Sequence, residues 1–470
     1  MQKFNTTQFT YGLSTIEQHS RMHVQEDVYD TPRIQRYVWN KWIREKERFA
    51  YQNEWNMEQK LAYALKEMVN VIEFAFNEIP FYHEFYSNIG YETGAISSLQ
   101  DLTHIPTLNK SVIKSVDPAQ LVPRSFNRHS SNIFWSSTSG SSGASIQIPS
   151  DLDSVALHSM TYYRLFNRLA GAAFTPDCWI YNIHHIRCWP SSLLGRYRTF
   201  TLNDVASPSE LVRHLEHLRP IIINTLPSYL PLLKPYRDRI RALSIKAIIT
   251  NSEASSCEER RYYSELFSTP IYDEYSSEEA GIIALECPHG YYHLQFDHIY
   301  CELKDLTSAA CGLAKLYTTD FLCRTMPFIR YDHGDIVSTE NLPGDVCACG
   351  QSGRVITAVD GRMDDCLKGP DGRYIPSGAI SNNLDTYFNA SPHISSFRLI
   401  QRANFRTFVF MYTGSSLDTT RPLIQSFFLR LESLLNMKID HFIQHVDVLP
   451  ENRSYKRKKI ISEAAPISDC

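Results

Sequence analysis

The sequence contains no apolar run approaching the length of a membrane span, which removes an anchoring hydrophobic helix from consideration. Its first residues, Met1-Gln2-Lys3-Phe4-Asn5-Thr6-Thr7, lack the apolar core of a secretory signal. Charge of one sign is also missing. Lys and Arg number 47 against 51 Asp and Glu, and the formal charge of −4 offers no electrostatic footprint for nucleic acid. The one basic run, Lys456-Arg457-Lys458-Lys459, is too short to supply it. The 11 cysteines are odd in number and scattered, which argues against a disulfide framework and for thiols in a reducing compartment, some of them on a metal. No internal repeat is visible. The expectation left by these absences is a cytoplasmic protein with no nucleic-acid partner and no membrane span.

What is present suits a packed enzyme-sized chain. Apolar residues make up 43% and charged residues 21% of 470, an ordinary globular composition with length enough for about three folding units. The most telling stretch runs from Phe134 to Ile148 and holds seven Ser or Thr residues and two glycines. Hydroxyl donors and a backbone free to take positive φ suit a loop that wraps an anion with successive N–H groups. It is not a Walker A loop, because Gly143 is followed by Ala144 and Ser145 rather than by Lys and Ser or Thr. Ser145-Ile146-Gln147-Ile148 alternates polar and apolar, so the expected form is strand, polar hairpin loop, strand.

Residues 1 to about 50 carry no readable pattern. Leu61, Leu65, Met68 and Ile72 recur at helical spacing and predict an amphipathic helix over 54–78, stopped by Pro80. Ile105 to Lys110 reads as a loop entering another helix. Beyond the hairpin, helical runs alternate with short apolar strands at Cys178–Tyr181, Ile221–Ile223, Ile245–Thr250 and Ile271-Tyr272. That alternation predicts a parallel sheet covered on both faces, with ligands gathered beyond the carboxyl ends of its strands. Those ends are polar: Asn182-Ile183-His184-His185, Thr250-Asn251-Ser252-Glu253 and Asp273 to Glu279. Ser252 and Glu253 are counted with the expected nucleotide site. From Cys287 onward the segments become short and β-rich. The last hundred residues predict a strand pair over 397–412 and a helix over 421–435, a compact α+β unit. Cys287, His289 and His293, followed later by Cys347 and Cys349, offer thiolates and imidazoles of the kind that close a tetrahedral zinc site. Cys301, Cys311 and Cys323 read as buried strand residues.

Taken in order, the motifs resemble those of the adenylate-forming superfamily, and more narrowly its phenylacetate–coenzyme A ligase branch with relatives in capsular polysaccharide biosynthesis. The resemblance runs from about residue 60 to the C-terminus. The Ser/Gly hairpin is similar to the phosphate loop of that family, and Tyr275-Ser276-Ser277-Glu278-Glu279 to its Tyr-Gly-x-x-Glu motif. Arg330-Tyr331-Asp332-His333-Gly334-Asp335 resembles Arg-Tyr-x-x-Gly-Asp, and Gly361-Arg362-Met363-Asp364-Asp365 resembles the hinge motif.

The resemblance implies an α/β fold: a large N-terminal domain over 1–361, with layered parallel sheets covered by helices and a β-rich zinc-bearing part at about 287–360. A small mobile α+β C-terminal domain would span 362–470. It implies that Thr138, Ser139, Gly140, Ser141, Ser142 and Gly143 hold the phosphates of ATP. Tyr275 would stack on adenine with Ser276 beside it. Glu279 would hold Mg²⁺, Asp335 the ribose hydroxyls, and Arg362 would lie near the same ribose. Asp364 would be the hinge and Lys456, in Ser454-Tyr455-Lys456, the adenylation lysine. His184 and His185 fall where the family places a gate to the acyl pocket. The zinc ligands would be Cys287, His293, Cys347 and Cys349, with His289 as the competing imidazole.

The implied reaction joins ATP and a carboxylic acid into an acyl-adenylate, then passes the acyl group to coenzyme A or a carrier-protein thiol, in a monomer or homodimer. Transfer to an amine is the rival enzymatic outcome. A non-catalytic, zinc-stapled homologue is the rival of another class. Four departures bear on this: Ser276 and Tyr455 stand where the family has Gly, Ala144 where a Lys or polar residue is common, and His333 where Thr is common. A Ser or Tyr in place of Gly restricts φ and is expected to reshape both segments.

Overall fold

The computed structural model describes residues 31–130, 132–138, 146–175, 177–183, 196–200, 207–306, 312–343, 346–369, 374–378, 380, 388, 393–450 and 458–464. Ser139, Gly140, Ser141, Ser142, Gly143, His184, His185, Cys311 and Lys456 lie outside the described residues, as does the side chain of Asp364.

The first helix, α1 (Thr31–Asn53), occupies a stretch in which no pattern was legible. It buries Val38, Trp42 and Phe49 against a later helix. Helix α2 (Met57–Glu78) starts three residues after the expected position, because Asn56 forms a capping box with Gln59. It ends at Ile79, and Pro80 opens α3 (Pro80–Ser87), where its missing N–H costs nothing. The expected loop before Lys110 contains a two-residue strand, β1 (Leu108–Asn109), whose Asn109 caps α4 (Lys110–Ser115). The Ser/Gly stretch forms the expected antiparallel hairpin of β2 (Ile133–Ser137) and β3 (Gln147–Asp151). Asp151 then caps α5 (Leu152–Ala170).

An eight-stranded sheet follows. Its members are β4 (Trp179–Ile183), β5 (Arg196–Phe200), β6 (Ile222–Thr225), β7 (Ala247–Thr250), β8 (Ile271–Ser277), β9 (Gly281–Glu286), β10 (Tyr292–Leu294) and β14 (Val355–Ile356), in the order β14-β10-β9-β8-β7-β6-β4-β5. The run from β5 to β8 is parallel, as the alternating pattern predicts. Beyond β8 the sheet continues antiparallel, because Gly281 at φ 65° turns the chain straight back into β9. One face packs under α5, through Ile180, Ile222 and Ile249. The other packs Tyr181, Ile223 and Ile248 against α6 (Pro208–Leu218), α7 (Leu230–Leu233), α8 (Arg237–Arg241) and α9 (Cys257–Phe267).

A second sheet holds β11 (Ile299–Asp305), β12 (Leu313–Asp320) and β13 (Tyr331–Ser338). Strand β1 and strand β15 (Ala358–Arg362) share the free edge of β13, on either side of Gly334. This sheet is antiparallel except for the β1–β13 pair, so the layered parallel expectation holds for the first sheet only. Cys301 is a buried strand residue as expected, whereas Cys323 is buried in the turn after β12.

The chain leaves β15 through a single turn at Met363–Asp365 and a short pair, β16 (Leu367–Lys368) with β17 (Tyr374–Ile375). Gly361 is required there: at φ 90°, an added Cβ would lie 2.2 Å from the Ser377 hydroxyl. The smaller C-terminal domain is a four-stranded sheet of β18 (Ile394–Gln401), β19 (Thr407–Gly414), β20 (Asp440–His445) and β21 (Ile460–Ser462). It is covered by α10 (Leu417–Leu435), over a core rich in phenylalanine. No helix among the described residues is long and apolar enough to cross a membrane.

Candidate active site and metal centre

Three segments distant in sequence converge where the two sheets of the large domain face each other. Strand β8 presents Tyr275, whose hydroxyl donates to Asp335 Oδ2 at 2.6 Å. Asp335 lies directly opposite Arg362 in the β13–β15 ladder, and the guanidinium Nε stands 3.6 Å from its other oxygen. Glu279, in the turn after β8, accepts a hydrogen bond from the Tyr331 hydroxyl at 3.1 Å. Burial pushes the phenol of Tyr275 well above its ordinary range, with the Asp335 carboxylate adding to the shift. It therefore stays a proton donor at any physiological pH.

The motif arginine does something different. Arg330, at φ 50°, turns the chain into β13 while its guanidinium clamps Glu302 at 2.8 and 2.9 Å and also donates to the Ile105 carbonyl. It is a bidentate strut between the second sheet and the segment leading to β1. The departure at His333 has a partner of its own: its Nε2 lies 2.6 Å from the Thr318 hydroxyl. Burial holds the imidazole below its usual range, although Glu279, Asp335 and Asp332 pull the other way. Ser276 is not among the described residues with positive φ, so a glycine conformation is not needed at that point. The β8–β9 ladder shifts register between Tyr275 and Ser276.

Thr138 closes the neck of the hairpin. Its backbone N–H donates to the Ile146 carbonyl and its hydroxyl accepts from the Ile146 N–H, both at 3.0 Å. Lys110, at the start of α4, brings its ammonium within 3.5 Å of that hydroxyl. Burial lowers the lysine pKa, with Lys114 and Arg362 lowering it further and Glu279 raising it. Lys110 thus stands in the field of Glu279 and Arg362, and sequence reading missed it. Its only local signal is a lysine directly after the N-cap Asn109. Ser252 adopts φ 66°, and the Glu253 carboxylate accepts the Ser228 N–H at 3.1 Å, away from the Tyr275–Asp335 pair among its described contacts. Near the hinge motif, Lys458 pairs with Asp365 at 2.8 Å, and Lys459 reaches back to Glu259 on α9 at 3.2 Å.

The cysteine and histidine residues gather as one cluster. Ligand atoms of Cys287, His293, Cys347 and Cys349 all lie within 4.8 Å of one another. Two matching turns deliver the thiols. In Cys287-Pro288-His289-Gly290-Tyr291 the Cys287 N–H donates to the Tyr291 carbonyl, and Gly290 N–H donates back to Cys287. Cys347-Ala348-Cys349-Gly350-Gln351 repeats both bonds. Each turn needs its glycine, at φ 79° and 84°. His293 enters from β10, while His289 is exposed and stands outside the cluster. The Cys287–Cys347 sulfur separation is 3.9 Å and the Cys349 sulfur to His293 Nε2 separation is 3.3 Å. Metal–ligand bonds of about 2.3 and 2.0 Å would set tetrahedral edges of roughly 3.5–3.8 Å, so the donor set fits a tetrahedral ion.

No family model matches the sequence, and no curated protein matches it significantly. Solved structures do match the fold. A 2-hydroxyisobutyryl-CoA ligase in the postadenylation state, in complex with R3-HIB-AMP, superposes with a TM-score of 0.69 at 16% identity, over 87% of this chain and 91% of that one. The same ligase in the thioesterification state, with 2-HIB-AMP and CoA, superposes less well, at 0.55 and 17% identity, over 88% and 91%. An ATP-bound RpMatB–BxBclM chimera gives 0.50 at 14% identity, over 69% and 66%. The chain therefore has the fold of adenylate-forming ligases.

Proposed function

We propose that this protein is an AMP-forming acid ligase, which converts ATP and a carboxylic acid to an acyl-adenylate and pyrophosphate and then passes the acyl group to a thiol of coenzyme A or a carrier protein. The observation that carries the reading is the convergence of Tyr275, Asp335, Arg362 and Glu279 beside the neck of a hydroxyl-lined hairpin. In the first half-reaction a carboxylate oxygen attacks the α-phosphorus while the bond to the pyrophosphate oxygen breaks. Asp335 accepts from the ribose hydroxyls, oriented by Tyr275 and Arg362. The Tyr275 ring lies against adenine, and Thr138 to Gly143 hold the departing phosphates. Glu279 would hold Mg²⁺, which when bound would offset the charge that builds on the phosphate oxygens. Lys110 adds positive charge on that side, and Lys456 is assigned the role of adenylation lysine.

Membership of the phenylacetate–coenzyme A ligase branch belongs to the same reading. The paired cysteine turns support it: Cys287, His293, Cys347 and Cys349 would hold a structural zinc, which would tie the end of β9 to the loop before β14.

ATP–pyrophosphate exchange across a panel of acids, with and without coenzyme A, tests the reading. The expected result is acid-dependent exchange that falls on the order of 10²-fold or more in Lys456→Ala. A crystal grown with AMP that placed the base and sugar away from Tyr275 and Asp335 would overturn it. Zinc content measured by mass spectrometry should be one equivalent per chain, and lost in Cys347→Ser.

A further inference from the structure

The face of the large sheet that packs under α5 carries a buried polar row where the parallel ladder ends. Ile180, Ile222 and Ile249 point to that face, so the residues two further along each strand, Asn182, Asn224 and Asn251, follow them. Asn251 confirms the placement by donating from Nδ2 to Asn224 Oδ1 at 2.7 Å. The fourth member comes from β8. Tyr272 pairs with Ile249, and the last register pair is Thr250 with Asp273, so Glu274 is the first residue beyond the parallel ladder and lies on the same face. Its Oε1 accepts from the Tyr162 hydroxyl of α5 at 3.2 Å. Exposures of 2%, 3%, 8% and 2% for Asn182, Asn224, Asn251 and Glu274 put the whole row out of water.

Three amides and a carboxyl side by side under a helix are an expensive floor for a protein core. Within it, Glu274 Oε2 is buried with no hydrogen-bond partner among the described residues. A buried acceptor left open costs stability unless something supplies the donor. The position is the one where open α/β sheets bind ligands, beyond the strands' carboxyl ends. Glu274 also adjoins Tyr275 in sequence, with its side chain on the opposite face of β8. The row therefore lies across the strand from Tyr275 and Asp335. Burial pushes the Glu274 carboxyl up to about 7, while the Ser276 and Tyr162 hydroxyls favour the ionised form and Asp273 opposes it.

We infer that this row is the floor of the acyl site and that Glu274 reads a hydrogen-bond donor on the acid, so that the substrate is a hydroxy or amino acid rather than a plain alkyl or aryl acid. The inference rests on the ligase reading and names its substrate class. A site that hydrogen-bonds a substrate group rejects the analogue lacking it far more strongly than an apolar pocket rejects an extra methylene. Glu274 is a specificity-determining residue on this account, and the Asn224–Asn251 pair holds the floor rigid beside it.

The test is ATP–pyrophosphate exchange with the full chain on straight-chain C3–C6 acids and benzoic acid, each beside its hydroxy and amino derivatives. At least one donor-bearing acid should exceed its parent in kcat/KM on the order of 10²-fold or more. Glu274→Leu and Glu274→Gln should collapse that ratio without lowering the Tm of the free protein, since each removes a buried carboxyl that has one oxygen left open. Parents that react as well as their derivatives, or variants that keep the preference while losing Tm, overturn the inference and leave the ligase reading standing. Exchange with no acid at all also overturns it, and if ATP then fails to raise Tm the ligase reading falls as well.

Discussion

The two faces of β8 solve opposite problems. On one, the described groups satisfy one another before any ligand arrives: Tyr275 donates to Asp335, Arg362 stands across from it, and Tyr331 donates to Glu279. On the other, the polar row is closed between Asn224 and Asn251 but open at Glu274. A face that is already paired is preorganised for a ligand common to all turnovers. A face with an open acceptor is completed by the ligand that distinguishes one enzyme from another, and carries a stability cost until then.

The comparison breaks most visibly at Asp335. Asp335→Ala should lower pyrophosphate exchange on the order of 10²–10³-fold and abolish the ATP-induced rise in Tm, because it removes the ribose acceptor and leaves both Tyr275 and Arg362 without their partner. An exchange rate within a few-fold of wild type would show that the paired face is a structural network only.

The next largest effect is on stability against pH. The Glu274 carboxyl is raised from 4.5 to about 7 in the folded state. Between those values the folded chain binds more protons than the unfolded one, so stability falls as pH rises and the loss is complete above 7. The size is about 3 kcal/mol. Chemical denaturation at pH 5 and pH 8 should show wild type losing this amount relative to Glu274→Gln. Equal pH slopes for the two proteins would mean that the open face carries no such cost.

Tyr275→Phe deletes one bond of the paired face and keeps the ring. A hydrogen bond to a charged group contributes about 1.5 kcal/mol at the lower end, so exchange should drop roughly 10-fold, mainly through KM for ATP. A drop as deep as that of Asp335→Ala would place the tyrosine among the groups that act on the transition state. Smallest of all, Ser276→Gly should leave exchange unchanged and cost about 0.5–1 kcal/mol of stability, since Ser276 already sits at an ordinary strand conformation. Higher activity in that variant would mean that the departure from the family glycine matters after all.

Much of this site was legible in the chain. The hairpin announces itself through hydroxyls and glycines between two strand-like runs, and the β13 and β15 motifs carry turn residues at readable offsets. The cysteine turns were readable too: Cys287-Pro288-His289-Gly290 and Cys347-Ala348-Cys349-Gly350 place a glycine at the same offset from each cysteine. Lys110 was not legible, because nothing near it in sequence announces that α4 will face the hairpin neck. Helix α1 was missed although its buried Val38, Trp42 and Phe49 stand at helical spacing; α5, which they pack against, lies a hundred residues on.

The sequence by itself determined the order of elements, the hydroxyl- and glycine-rich character of the hairpin and the residue types of both candidate centres, since these depend on backbone freedom and side-chain chemistry that neighbours in the chain already specify. Only the tertiary structure decided which imidazole joins the thiols, that the second sheet runs antiparallel, and that Glu274 and Tyr275 face opposite ways. Those outcomes depend on strand register and on contacts between segments far apart in the chain, and a single-residue shift of register would exchange the two faces of β8.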